Sequence, residues 1–399
     1  MELAGDSGAM MPAAAACGMS ASAPTLSAAV VSATFLREPV KSASFYGDGP
    51  ADAGMPSRGG ADGLGGSPIP GPISAYTRPA LAAIGPADMK GSHPLRPFVR
   101  AAAATAIVAA VAVPLIRRRR RVPTALSAAS VASAPLAIAV LWPRSRVRDV
   151  AIYAAQMWAF VIIHELPYDD PERLRARLRI HYPIRIDQAI GRGRLPNSRL
   201  QDALMRRDGE ATALDRVLTF AHWAWFMEPH LTLIYILIRN EGRFARAARQ
   251  TAVAFDLGCA VYIALPTAPP WWAAENGYTG DDQINRRMLE VGERVWGPAW
   301  QRLFNGFDGN PWAAMPSLHF GASVLAAMLL TETDRRAGAV GWSYALGLGF
   351  ALVYLGEHYV IDLIAGLGLV VAVRVLEPLA GPLAMAVSRA IQRLEAIAA

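Results

Sequence analysis

MPSLHFGASVL, residues 315–325, and GEHYVIDLIAG, residues 356–366, decide how this chain is read. Each places a histidine at the entrance of an apolar run, in a chain with only seven histidines. Pro316 suits the first position of a helix, where its missing N–H costs nothing. Ser317 and His319 then fall in the first turn, among free backbone N–H groups and at the positive end of the helix dipole, which is a site for an anion such as phosphate. His358 and Asp362 are four apart, hence on one helical face and in contact. A carboxylate on one ring nitrogen leaves the other with a free lone pair, the arrangement of a nucleophile, and His319 is then a candidate to protonate a departing oxygen. Each piece alone also fits a plainer reading: a helix start with an interfacial histidine, and a His–Asp hydrogen bond that satisfies two polar groups near a boundary.

The apolar runs behind these motifs belong to a larger pattern. Hydrophobic residues make up 53% of the 399 residues, and charged residues only 18%, against about a quarter in soluble domains. Mean hydropathy is +0.25. Several windows reach the roughly 18 residues needed to cross a bilayer core, which predicts an all-α, polytopic membrane bundle. Six segments stand out, at 149–166, 216–238, 250–268, 316–331, 339–356 and 359–377. Two weaker ones, 101–116 and 122–142, flank the run Arg117 to Arg121. Domains follow: a disordered Ala/Gly/Ser/Pro-rich tail over 1–96, which buries too little apolar surface to offset its ordering entropy; one or two accessory segments in 97–148; a catalytic core over 149–377; and an amphipathic segment over 378–399. The opening MELAGDSGAMMPAAAACG lacks the basic start and apolar core of a signal peptide.

The net charge of +7 comes almost entirely from arginine, since Lys41 and Lys90 are the only lysines. The arginines lie between apolar segments, where they set membrane orientation, and no nucleic-acid partner is expected. Arg239, Arg243, Arg246 and Arg249, with Arg335 and Arg336, put those two loops in the cytoplasm and the 273–315 loop on the opposite side. On that map residues 266–272, 316–319 and 354–362 share the extracytoplasmic face. The two cysteines, Cys17 and Cys259, indicate no disulfide framework.

Weaker signals remain. His222, Glu228 and His230 sit in or near an apolar segment, where ionisable groups are expensive and often functional; they either line a substrate cavity or pair with one another. HELPYDD (164–170) clusters acids and a histidine without persuasive metal spacing. PERLRARLRIHYPIRIDQAIG (171–191) alternates basic and apolar residues as an interfacial amphipathic helix does. Trp271, Trp272, Trp296, Trp300 and Trp312 suit an aromatic belt.

Together, LPTAPPWW (265–272), MPSLHFGAS (315–323) and VYLGEHYVIDLIAG (353–366) resemble, in order and spacing, the type 2 phosphatidic acid phosphatase (PAP2) superfamily. Within it they resemble the inositolphosphotransferase branch, that of inositol phosphorylceramide synthase. The resemblance covers roughly 149–377 and implies a six-helix membrane core with a phosphohistidine-type intermediate. It makes His358 the nucleophile, Asp362 its orienting partner, His319 the general acid and later base, and Ser317 a phosphate contact. The segments that carry the resemblance also offer Pro269, Pro270, Trp271 and Tyr354 as substrate-site candidates, and His222 is a further one from its place in an apolar segment. No cofactor or metal is expected. The lipid-phosphatase branch has a K-x6-R-P motif that this chain lacks, and an arginine where this chain has Leu352. Its inositolphosphotransferase relatives often carry a His-His pair where Glu357-His358 stands here. Other donors must then neutralise the phosphate: Arg286, Arg287, Arg294 and Arg302 are candidates, though a solvated loop would use them equally well.

The expected partners are membrane lipids and a phosphorylated lipid substrate; protein partners are not legible. The implied activity is headgroup transfer at the extracytoplasmic face of a plasma (inner) membrane, with lipid phosphate hydrolysis as the alternative if water resolves the intermediate. A transporter or scaffold would show internal repeats or polar residues at segment centres, and neither is evident.

Overall fold

The computed structural model describes residues 93–206, 208–300 and 310–399. The expected tail over 1–96 lies almost wholly outside them. Among the described residues every regular element is a helix, with two isolated bridges, Arg179 to Thr267 and Thr267 to Ala313, as the only strand-like pairings.

Residues 97–148 form α1 (Arg96–Arg120), α2 (Thr124–Ala132) and α3 (Ala134–Leu141). The second accessory segment breaks at Ser133 because Pro135, at the second position of α3, lacks an N–H and its ring collides with the carbonyl four residues back. The core opens with α4 (Arg146–Glu165), followed by three shorter helices: α5 (Pro171–Arg175), α6 (His181–Ile190) and α7 (Pro196–Leu204). The stretch 171–191 is therefore not one amphipathic helix. A turn divides it, and α6 buries Ile184 and Asp187.

The segment expected over 216–238 is also divided, into α8 (Ala213–Ala224) and α9 (Glu228–Arg239). Pro229 in the first turn of α9 prevents a continuous helix, and the break presents Trp225, Phe226 and Met227 sideways. The third core helix, α10 (Glu241–Ala264), begins earlier than 250 and stops short of Pro266. Its arginines favour helix and find carboxylate partners, while the residue before a proline is driven out of helical conformation. Short α11 (Pro270–Glu275) and α12 (Arg287–Trp296) lie in the following loop. The chain then runs through α13 (Leu318–Thr333), α14 (Arg335–Tyr354), α15 (Val360–Leu376) and α16 (Gly381–Ala398).

Among the described residues, four stretches are long and apolar enough to cross a membrane: Arg96–Arg117, Thr124–Leu141, Arg146–Asp169 and Arg335–Tyr354. Leu318–Thr333 is a shorter apolar helix. The molecule is a multi-pass membrane bundle. Its main core brings Ile152 and Tyr153 of α4 against Ala248 and Ala252 of α10, Leu325 and Leu329 of α13, Ala345 of α14 and Val370 of α15.

One crossing positions everything that follows. A Cβ on Gly366 would lie 2.4 Å from the carbonyl oxygen of Ser317, and one on Gly321 would lie 2.9 Å from the carbonyl oxygen of Gly366. Only glycine allows α13 and α15 to meet backbone to backbone there, the device by which small residues bring membrane helices close. The contact sets the start of α13 beside the start of α15.

Candidate active site

Ser317 is the N-cap of α13: its Oγ accepts the Phe320 N–H at 3.3 Å, and its own N–H donates to the carbonyl oxygen of Asp362 at 2.9 Å. Pro316 is therefore outside the helix and not at its first position, and its carbonyl accepts the Tyr262 hydroxyl at 2.7 Å. His319 does occupy the first turn. The Ser317 side chain is fully buried in its capping role and does not line the cavity described below, so the expected phosphate contact is not formed by this geometry.

His358 and Asp362 are in contact, but not along one helical face. His358 precedes α15, in the turn after Gly356. That turn demands glycine twice over: φ at Gly356 is +82°, and a Cβ there would lie 2.7 Å from the carbonyl oxygen of Asn285. Asp362 reaches back from the first turn of α15: its Oδ2 accepts the Tyr359 N–H at 2.9 Å and lies 3.4 Å from His358 Nδ1. That approach is long for a hydrogen bond, as catalytic bonds often are before substrate tightens them.

The other ring nitrogen of His358, Nε2, lies 3.3 Å from His319 Nδ1. His319 is held between aromatic rings, stacked on His222 at 5.0 Å and 23° and packed on Trp225 at 4.1 Å. All three histidines line one cavity of about 440 Å³. Its remaining wall has two chemistries. Arg286, Glu357, Trp271 and Asn310 are polar or amphipathic, whereas Met157, Phe160, Val161, Met227 and Phe255 are apolar. Val161 and Met227 are also 44% and 57% exposed, so the cavity wall continues onto the outer surface of the bundle at α4 and at the α8–α9 break.

The arginines separate sharply. Arg286 lines the cavity, with its Nε 3.1 Å from Glu357 Oε1 and its guanidinium 4.0 Å over the Trp271 ring. Arg287, expected beside it as a ligand, points the other way and is 0% exposed. Its Nε and Nη2 take the two oxygens of Asp215 at 3.2 and 3.0 Å, and Nη1 takes Glu290 and the Gly209 carbonyl. Tyr354 is drawn into the same knot, donating to Asp215 Oδ1 at 2.6 Å. Neither lines the cavity, because a fully buried guanidinium must keep its donors on protein acceptors. Arg294 bonds the Gly209 carbonyl at 2.6 Å away from the cavity, and Arg302 lies outside the described residues. Pro269 and Trp271 line the cavity; Pro270 is buried at the start of α11 and does not.

The HELPYDD residues are divided between two tasks. Glu165 and Asp169 pair with Arg117, at 3.0 and 3.4 Å, while His164 and Glu165 line the cavity. Of the intramembrane set, His222 and His230 line the cavity, and Glu228 is bonded by Thr232. Trp225 and Asn310 had no signal in the sequence. Yet Trp225 Nε1 and Asn310 Nδ2 are buried donors on the cavity residues with no partner among the described residues.

This geometry can be set beside known proteins. The family model described as the PAP2 superfamily matches residues 203–376, the stretch that carries His222, His319, His358 and Asp362. The chain is 28% identical over 144 residues to the inositol phosphorylceramide synthase catalytic subunit of Schizosaccharomyces pombe, covering 35% of this chain and 34% of that one. It is 28% identical over 170 residues to the inositol phosphorylceramide synthase of Candida albicans, covering 39% of this chain and 35% of that one. The matched region thus spans about a third of the length of these curated relatives. No solved structure gives a significant match.

Proposed function

We propose, for a chain whose residues 203–376 match the PAP2 superfamily model, that it transfers a phosphoinositol-like headgroup from one membrane lipid to the hydroxyl of another. The observation that carries this reading is the line Asp362–His358–His319, with successive approaches of 3.4 and 3.3 Å, ending in a largely apolar cavity whose wall also holds Arg286, Glu357 and Asn310.

In this reading Asp362 holds the proton on Nδ1 of His358, which leaves the Nε2 lone pair facing the cavity. Nε2 attacks phosphorus and forms an N–P bond as the P–O bond to the donor lipid breaks. His319 gives its proton to the departing alkoxide. The acceptor alcohol then loses its proton to His319 and attacks phosphorus, the N–P bond breaks, and both histidines return to their starting states. Arg286 is the cation that faces the phosphate. Trp225 Nε1 and Asn310 Nδ2 are neutral donors that offset the missing Lys/Arg motif, in the manner of other preorganised oxyanion sites. Glu357, where relatives often have histidine, anchors Arg286. The apolar wall of the cavity takes the lipid chains, which enter from the bilayer beside Val161 and Met227. The membrane face is part of the same reading: Arg243, Arg246 and Arg249 in the N-terminal part of α10, with Arg335 and Arg336 at the start of α14, cluster at the end remote from the site, and such an excess of arginine supports a cytoplasmic position for that end.

The test uses purified protein in lipid nanodiscs with phosphatidylinositol and ceramide, and in parallel with phosphatidic acid, following lipid products and free phosphate by mass spectrometry. A new inositol phospholipid that requires His358 supports transfer. Phosphate release from phosphatidic acid without a new phosphodiester makes the enzyme a hydrolase instead. A chelator should leave turnover unchanged; loss restored by zinc or magnesium argues against this chemistry.

A further inference from the structure

The nucleophile sits on a turn between two helix ends, a place where backbone groups are left without partners. The last carbonyls of α14 and the first N–H groups of α15 cannot be satisfied within their helices. Tyr359, the N-cap of α15, has no short acceptor side chain to offer. The partners come instead from α6 and α7. Asp187 accepts the Val360 N–H at 2.7 Å and the Ile361 N–H at 2.9 Å. Asn197 Nδ2 donates to the Val353 carbonyl at 2.7 Å and to the carbonyl of His358 itself at 2.9 Å. Gln201 Nε2 donates to the Tyr354 carbonyl and to the Asn285 carbonyl, each at 2.9 Å, and its Oε1 accepts the Asn285 N–H. Two further carbonyls of the turn, Leu355 and Gly356, are taken by the N–H groups of Arg287 and Trp271. Asp187, Asn197 and Gln201 are all buried, and all precede residue 203, where the family match begins.

Buried amides and carboxylates are costly to bury unless bonded, and three of them converge on the single turn 353–362 from a segment that lines no part of the cavity. We propose that Asp187, Asn197 and Gln201 are positioning residues of the reaction: a clamp, contributed from outside the family-matched region, that fixes the His358 turn so that Nε2 faces His319. The proposal rests on the phosphotransfer reading for its effect on rate, but not for its effect on the turn. Burial pushes the Asp187 carboxyl up to about 6, with the Ile361 and Val360 N–H groups opposing the shift and Asp362 adding to it. A carboxylate held there at neutral pH, against its burial, fits a role in orientation better than one in stability.

The experiment compares wild type with Asn197→Asp, which keeps the shape but removes both donors, and with the milder Asp187→Asn, which keeps one acceptor. Turnover of phosphatidylinositol with ceramide, Tm, and amide hydrogen exchange of peptides covering 353–362 are measured on the same preparations. A misplaced nucleophile costs about 100-fold in kcat for Asn197→Asp and about tenfold for Asp187→Asn, with KM nearly unchanged. Exchange should quicken first and most across 353–362, with Tm of Asp187→Asn within a few degrees of wild type and a larger fall in Asn197→Asp, whose new carboxyl faces two carbonyl oxygens. If Asn197→Asp does not fold, the Asp187→Asn result decides. Unchanged kcat and unchanged exchange in a folded variant overturn the proposal, and so does quickened exchange spread over the whole protein with a large fall in Tm. If the wild type transfers no headgroup but the variants still release protection at 353–362, the clamp stands and the phosphotransfer reading fails. If neither occurs, both fail.

Discussion

The two ends of the bundle solve the same problem with different materials. At the end remote from the site, α10, α13 and α15 are tied by charge: Arg246 bridges Glu332 and Glu377 at 3.2 and 3.1 Å, Arg249 adds a second hold on Glu377, and Arg374 pairs with Glu332. At the site end the same three helices are tied by glycine contact and by uncharged bonds: Gly321 on Gly366, Ser317 N–H on the Asp362 carbonyl, Tyr262 on the Pro316 carbonyl. Partly exposed ion pairs tolerate loss because water replaces either partner. A site that must place reacting groups needs a backbone exact to a fraction of an ångström, and at that end buried contacts and hydrogen bonds hold the frame, while His319, His358 and the Arg286–Glu357 pair face the cavity.

This contrast can be broken from either end. The largest effect belongs to the histidine pair. His358→Ala should lower kcat by about 10⁴-fold or more, and His319→Ala by about 10² to 10⁴-fold, both with unchanged Tm; Asp362→Asn should fall between. Single-turnover assays with radiolabelled donor lipid, and acid-labile label on the protein, check this. Full activity in the His358 variant sinks the mechanism.

Adjacent arginines then sharpen the comparison. Arg287→Met leaves Asp215 buried without its partner and should cost about 3–5 kcal/mol of stability, read as a large fall in Tm or loss of folded protein. Arg286→Met should leave Tm nearly unchanged while lowering kcat/KM about 10- to 100-fold, the worth of one charge-assisted phosphate contact. The reverse pattern would mean that the cation facing the substrate has been misassigned.

A smaller effect concerns pH. The folded chain holds the Asp187 proton more tightly than the unfolded chain does, since burial moves the carboxyl from 3.8 up to about 6, with the charge of Asp362 adding to the shift. Its contribution to stability is therefore present below about pH 4 and lost as pH rises through 6, opposite to a salt-bridged carboxylate. Tm measured across pH 4 to 7 should show this component in wild type and not in Asp187→Asn. Smallest of all, Glu332→Gln at the remote end should change stability by about 1 kcal/mol or less and leave kcat unaltered, as measured by thermal unfolding and turnover side by side.

Much of the core is legible from hydropathy, because a segment that crosses a bilayer must be apolar along its length whatever surrounds it. The histidines are legible too, since ionisable residues at segment ends in such a chain are rare and expensive. The break before Pro229 has a local cause in the proline itself. Other features have no local signal. Arg286 and Arg287 are neighbours of one type in one loop, and nothing in their spacing says which faces the cavity. Asn197 and Gln201 look like ordinary polar residues of a surface helix.

What the sequence by itself determined is therefore the membrane bundle, the two helix starts to within a residue or two, and the chemical identity of the groups placed there, because these depend on composition and on local backbone preference. Only the tertiary structure decided which of those groups meet: His358 with His319 across the Gly321–Gly366 crossing, Arg287 turned inward to Asp215, and the 187–201 segment clasped on the His358 turn. Those outcomes rest on contacts between residues far apart in the chain, and a burial cost that is settled by distant partners leaves no mark on the residues beside it.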